Sequence, residues 1–253
     1  MALLRQFWLL FRRRMLETIR QPVWVIVGLS TPLLYLALFA PVLKPLAGGP
    51  GFRHGSVLDV FLPGILALMA FGAGTGAGWI VIAELDSGVI ERLRVTPVSR
   101  FALVIGTALR DVVMLIVPAL IVVVVAIPFG FHAHWLGIAL LMLLLSLVTM
   151  ITSATSSALG IILRQIGSLA AIWTGVNLPI LLLAGVLLPL SLAPEWLRLL
   201  AHLNPLYYVV EASRDLAAGT ITSRPVVEGF LLAIVLTILV FWWSARTYRR
   251  AVA

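Results

Sequence analysis

The chain contains no cysteine in 253 residues, which excludes disulfides and thiol chemistry. Charge is scarce as well: only 11% of residues are charged, and Asp and Glu together number 10 against 18 Lys and Arg. Soluble domains hold about 25% charged and about 45–50% apolar residues. Here 62% are hydrophobic, a composition that excludes an ordinary soluble domain and indicates an integral membrane protein. No G-x-x-x-x-G-K-[ST] phosphate loop occurs, so the chain is not expected to bind nucleotide itself. No H-E-x-x-H occurs, and His132-Ala-His134 lacks a third ligand at metal spacing, so neither a catalytic set nor a metal site is expected. A cleavable signal peptide is not expected either, because Arg12, Arg13 and Arg14 fall where its apolar core would lie.

What is present is long apolar runs. A spanning helix needs about 20 mostly apolar residues, and residues 23–43, 58–82, 105–128, 135–160, 168–190 and 226–244 meet that need. The simplest expectation is an all-α membrane protein with six transmembrane helices in a single domain over residues 1–253. Most basic residues fall before the first run, between the second and third, at Arg164 and after the last, so both termini are expected in the cytoplasm. The formal charge of +8 is therefore read as topology and headgroup attraction, with membrane lipid as partner and no nucleic acid.

Residues 1–21 have an amphipathic pattern. Leu3, Leu4, Phe7, Trp8, Leu10, Phe11, Met15 and Ile19 share one half of a helical wheel, with Arg5, Gln6, Arg12, Arg13, Glu17 and Arg20 on the other. Such a helix lies in the interface plane, apart from the mismatches Leu9 and Arg14. A plain charged tail that sets topology is the alternative.

The most polar interruption is AELDSGVIERLRVTPVSR, beginning at Ala83. Asp86 or Ser87 can cap a short helix running to Val95, and Thr96 with Pro97 reads as an N-cap with proline at the first helical position. Val89, Ile90 and Leu93 make a narrow apolar stripe beside Glu91, Arg92 and Arg94. Two turns do not stand alone, so this helix docks on something, either its own bundle or a cytoplasmic partner. Spacing alone leaves both open.

Polar residues inside spans are costly and therefore informative. Thr149, Ser153 and Ser157 recur every fourth residue in the fourth span, beside Thr152, Ser156 and Gly160. They suit either close helix packing or a substrate pathway. Trp173 and Asn177 in the fifth span, near Thr174 and Pro179, are further pathway candidates that could equally bond a neighbouring helix. Arg110 and Asp111 sit about 100° apart on a helix, so pairing with another helix is expected rather than with each other. In GAGTGAGW, Gly72 with Gly76 and Gly74 with Gly78 are small-xxx-small pairs that suit close packing. Glu211, Arg214 and Asp215 read as salt-bridging on an external helix.

The segment ELDSGVIERLRVTPVSRFALVIGTALRD resembles the cytoplasmic loop of type 2 ATP-binding-cassette exporter permeases, in particular the daunorubicin-resistance-like branch. NPLYYVVEASRDLAAGT, starting at Asn204, resembles their last external segment. The resemblance implies that residues 1–21 form an elbow helix, 83–97 a coupling loop and 191–220 an extracellular re-entrant helix pair. It implies ATPase coupling through Glu84, Asp86, Gly88, Val89, Ile90, Glu91, Arg92, Leu93, Arg94 and Pro97. It also implies a complex with a second permease subunit, as homo- or heterodimer, and two copies of an ATP-binding-cassette ATPase that bind ATP and Mg. The chain would then not be an enzyme by itself. The implied function is export of a hydrophobic or amphipathic drug or antibiotic across the cytoplasmic membrane. A lipid or lipid-linked glycan cargo, or an ATP-independent transporter or channel, are the rival readings.

Overall fold

A computed structural model describes Met15 and residues 22–43, 57–88, 100–186 and 193–252. Every regular element among them is helical: α1 (Pro22–Leu43), α2 (Val57–Ala73), α3 (Ala77–Asp86), α4 (Arg100–Ala126), α5 (Trp135–Leu163), α6 (Ile166–Leu183), α7 (Glu195–Ala201), α8 (Pro205–Ala217) and α9 (Arg224–Val252). The amphipathic segment 1–21 lies outside the described residues except for Met15, and the loop from Val89 to Ser99 lies outside them altogether.

Among the described residues, five stretches are long and apolar enough to cross a membrane: Leu58–Asp86, Val104–Phe129, Trp135–Leu163, Ile166–Leu183 and Arg224–Arg250. They match the expected second to sixth spans. The expected first span is helix α1, of 22 residues, which contains the shorter apolar stretch Gly28–Leu38. In hydrocarbon the backbone has no water to bond, so apolar runs of this length satisfy their N–H and C=O groups internally as helices.

Helix α5 is the hub. It packs against α9, α3, α4, α2, α8 and α6, and its buried residues include Leu141, Leu144, Leu145, Thr149, Ser153 and Ala158. An outer cluster joins Leu62 and Leu66 of α2 to Leu115 of α4, Leu141 of α5 and Leu216 of α8. An inner cluster joins Val81 of α3 and Ala108 of α4 to Ala154 of α5 and to Phe241 and Tyr248 of α9. Helix α5 stops at Arg164, the one non-glycine with positive φ (51°) among the described residues, whose N–H bonds Gly160 O at 3.0 Å.

The span formed by α2 and α3 is broken. Residues 74–76 wind as tight turns, with Thr75 N–H bonding Gly72 O and Ala77 N–H bonding Gly74 O, before α3 resumes. Glycines relax the helix here, and the freed backbone groups need partners from neighbouring helices.

Candidate functional site

Those partners come from the Ser/Thr face of α5. A Cβ on Gly74 would lie 2.2 Å from Thr152 Oγ1, and one on Gly78 would lie 2.3 Å from Ser156 O. Gly160 approaches Gly78 just as closely, a Cβ there meeting Gly78 O at 2.6 Å. Gly72 and Gly76 have nothing within 4 Å of such a Cβ. So of the two glycine pairs only Gly74 with Gly78 makes a close helix contact.

The Ser156 hydroxyl sits at the break. It donates to Thr75 O, accepts from Gly78 N–H at 3.0 Å and accepts from Trp173 Nε1–H of α6 at 3.2 Å. One donor and two lone pairs are the full capacity of a hydroxyl. The sequence drew attention to Thr149, Ser153 and Ser157 instead. Thr149 Oγ1 faces Ala70 O at 3.0 Å and Leu145 O at 3.1 Å, which joins α5 to α2. Ser153 donates to Asp111 Oδ2 at 2.6 Å, which joins α5 to α4. Ser157 is buried with no hydrogen-bond partner for its Oγ. All three lie in helix seams, the packing use of such residues in membranes.

Asp111 corrects one sequence expectation. Its side chain is 1% exposed and accepts from Arg110 Nη1 at 2.7 Å, so the adjacent residues do pair. Although their Cβ directions diverge by about 100°, the arginine stem is long enough to fold back. Burial of a carboxylate in a span then rests on a cation and a hydroxyl together.

Trp173 packs edge-on to Phe71, ring centroids 5.7 Å apart at 81°. Asn177 is exposed. It shares α6 with exposed Gly167, Ala171, Thr174 and Gly175, and only Leu169 of that helix is buried. Gly167, Ala171 and Gly175 recur every fourth residue, a small-residue signal that the sequence held and that the reading above passed over.

At the cytoplasmic end of α3, Glu84 is half-buried and Asp86 exposed. Gly88 has φ +69°, the left-handed value favoured by glycine after a helix, and Ser87 N–H bonds Ala83 O while Ser87 Oγ donates to Glu84 O. Ser87 and Gly88 therefore terminate α3, where the sequence reading had them start the next helix. The remaining coupling candidates, Val89, Ile90, Glu91, Arg92, Leu93, Arg94 and Pro97, lie outside the described residues.

At the opposite end, α7 and α8 appear where the resemblance placed a helix pair. Pro194 precedes α7 as its N-cap and Pro205 opens α8, capped by Asn204, whose side chain accepts from Leu206 N–H at 3.1 Å and donates to Ile180 O at 2.7 Å. Arg214 does more than form a surface salt bridge. Its guanidinium, with 11% of the side chain exposed, donates to Glu211 at 2.6 Å, Gly185 O at 2.6 Å and Val60 O at 3.3 Å, tying α8 to the end of α6 and the start of α2. Burial lowers its pKa from the usual arginine range while Glu211 opposes the shift. Burial, aided by Glu211, raises that of Tyr207. His132 meets Asp59 at 3.1 Å, and His134 Nδ1 lies 3.2 Å from Ala217 O. Among the described residues no group of three His, Cys, Asp or Glu could hold a metal ion.

Comparison with known proteins agrees with this architecture. The ABC-2 type transporter family matches residues 5–218. The putative transport permease ycf38 of Cyanophora paradoxa is 26% identical over 215 residues, covering 84% of this chain and 74% of the relative. The ycf38 permease of Pyropia yezoensis is 30% identical over 220 residues, covering 85% and 75%. The inner membrane transport permease YadH of Escherichia coli K12 is 24% identical over 230 residues, covering 88% of each. A helical bundle of membrane-spanning length, matched to one family over most of its residues, identifies this chain as a member of the ABC-2 type transporter permeases, a membrane transporter subunit.

Proposed function

We propose that the chain is the permease subunit of an ATP-driven exporter in the cytoplasmic membrane, with six spans and both termini in the cytoplasm. It moves a hydrophobic or amphipathic drug or antibiotic. The energy comes from two copies of a separate ATPase, which bind ATP and Mg; the chain itself carries out no hydrolysis. Glu84, Asp86 and the charged loop that follows are the ATPase-docking surface, and α7 with α8 are the external re-entrant pair.

The observation that carries this reading is α6. An apolar helix facing lipid all round has no use for an asparagine, because an uncompensated polar side chain in hydrocarbon is costly. Yet α6 leaves Asn177 and Thr174 uncovered beside Gly167, Ala171 and Gly175. Small residues let a second helix approach closely, so a second permease subunit set against this face would complete a pathway of which one chain is half. Asn177 and Trp173 are its first candidates for cargo contact. Thr149, Ser153 and Ser157, seated in seams, could meet cargo only if those seams opened. Swinging such a bundle from about 1:99 to 99:1 between two states takes about 5.5 kcal/mol, which calls for firm docking at the α3 end.

The test is purification of the tagged chain from its native membrane, followed by vesicle assays. A soluble ATPase should accompany it, and inside-out vesicles should accumulate an amphipathic fluorescent drug only with hydrolysable ATP. Replacing both Glu84 and Asp86 by Ala should lower that uptake with the protein still folded. No accompanying ATPase, or uptake indifferent to ATP, would defeat the reading. Movement confined to a labelled lipid-linked glycan would change the cargo class alone.

A further inference from the structure

We infer that Ser156 is a positioning residue for transport, a pin through which motion of α3 reaches α6. The inference rests on the ATP-driven reading above, in which force enters at the cytoplasmic end of α3.

Three observations converge on one hydroxyl. First, α3 is a separate ten-residue rod, cut from α2 by the turns at 74–76. It crosses α5 where Gly78 and Gly160 touch backbone to backbone, so no side chain stands between the two helices to resist a small rotation about that crossing. Second, the backbone on both sides of the cut is held by Ser156, through Thr75 O and Gly78 N–H. Third, the last lone pair of the same hydroxyl takes the Trp173 indole N–H, the one side-chain hydrogen bond recorded between α5 and α6 among the described residues. Leu169, the single buried residue of α6, lies against the same spot, its Cδ2 2.7 Å from where a Gly78 Cβ would stand.

The attachment of α6 to the bundle along its cytoplasmic half is thus concentrated at the joint about which α3 would turn. A rotation of α3 displaces Gly78, and with it both the hydroxyl that holds Trp173 and the surface on which Leu169 rests. A hydroxyl is required for this role. Alanine at 156 would leave a carbonyl, an amide and an indole N–H without partners at once. Phenylalanine at 173 removes only the arm that reaches α6 and leaves the broken span intact.

The absence of native cysteine lets paired spin labels report alone. One pair, Ser87→Cys with Ile162→Cys, measures α3 against α5; a second, Ile172→Cys with Ile162→Cys, measures α6 against α5. Both are recorded in lipid nanodiscs on the complex with its ATPase, with and without a non-hydrolysable ATP analogue. The expected result is that the analogue shifts both distances in the wild-type background. In Trp173→Phe the α3 distance still shifts and the α6 distance loses its shift. Ser156→Ala loses the α6 shift as well, and Ser156→Thr, which keeps a hydroxyl, retains it. An α6 shift that survives both Trp173→Phe and Ser156→Ala overturns the inference, as does a wild-type complex in which α3 moves and α6 does not, although the ATP-driven reading then stands. If α3 itself does not move, that reading and the inference fall together. Should Ser156→Ala not fold, Trp173→Phe decides the matter.

Discussion

Helices α5 and α6 follow one another across Arg164 and Gln165, and each is apolar enough to cross a membrane, yet 56% of the most apolar window of α5 is buried within the chain and only 6% of that of α6. Helix α5 spends its polar residues inward, as hydrogen bonds to α2, α4 and the break before α3. Helix α6 leaves its polar and small residues outward, where the single chain offers them nothing. Length and hydropathy make both helices membrane spans. Only the location of serine, threonine, asparagine and glycine tells a helix that organises its own subunit from one that awaits a neighbour.

The comparison can be broken most severely at the carboxylate on the α5 side. Asp111→Leu removes the partner of Arg110 and the acceptor of Ser153, and loss of one member of a buried ion pair destabilises by about 3–5 kcal/mol. Adding Arg110→Met should recover most of that loss, because the unpaired charge disappears with it. Thermal unfolding of the variants in nanodiscs would check this, and equal loss in the single and double variants would contradict the buried pair.

Smaller effects sharpen the contrast between seams. Ser153→Ala should lose about 1.5–3 kcal/mol, the range for hydrogen bonds to charged groups. Ser157→Ala, whose hydroxyl has no partner, should stay within about 0.5 kcal/mol. Gly78→Ala forces a methyl into the backbone of α5 and should cost about 1–3 kcal/mol, as overpacking does. Gly72→Ala, with open space around it, should be neutral or should stabilise by up to about 1 kcal/mol through helix propensity. Gly175 behaves like Gly72 within one chain but belongs to the uncovered face. Gly175→Leu is therefore expected to spare monomer unfolding and weaken self-association, measured by single-molecule photobleaching of labelled chains in dilute membranes.

The fold was legible because apolar runs of about 20 residues have one solution in lipid. The helices α2 to α6 and α9 appear where those runs are, and α8 begins at Asn204 and Pro205, whose capping chemistry is written in the residue types. Burial was not legible, since a leucine facing lipid and one facing α5 look alike in sequence. The glycines of GAGTGAGW announced a close contact without saying which pair makes it; the phase of the helix through the turns at 74–76 decides that. The Arg110–Asp111 pair was missed because a rule for Cβ directions does not describe the reach of an arginine. Ser156 was hidden among equivalent neighbours, and its three bonds exist only because a helix break, α5 and α6 meet there. Arg214 was read as a partner for Glu211, and its carbonyl contacts depend on the turn at Gly185, which no local motif marks.

The account turns on whether the outward face of α6 meets a second copy. In a chain free of native cysteine, Asn177→Cys in membranes should be joined into a covalent dimer by a short bifunctional maleimide. Leu143→Cys on α5 and Leu231→Cys on α9, both exposed on the single chain, should remain monomeric under the same treatment. Dimers at Leu143 or Leu231 with none at Asn177 would show that α6 faces lipid and contradict the account.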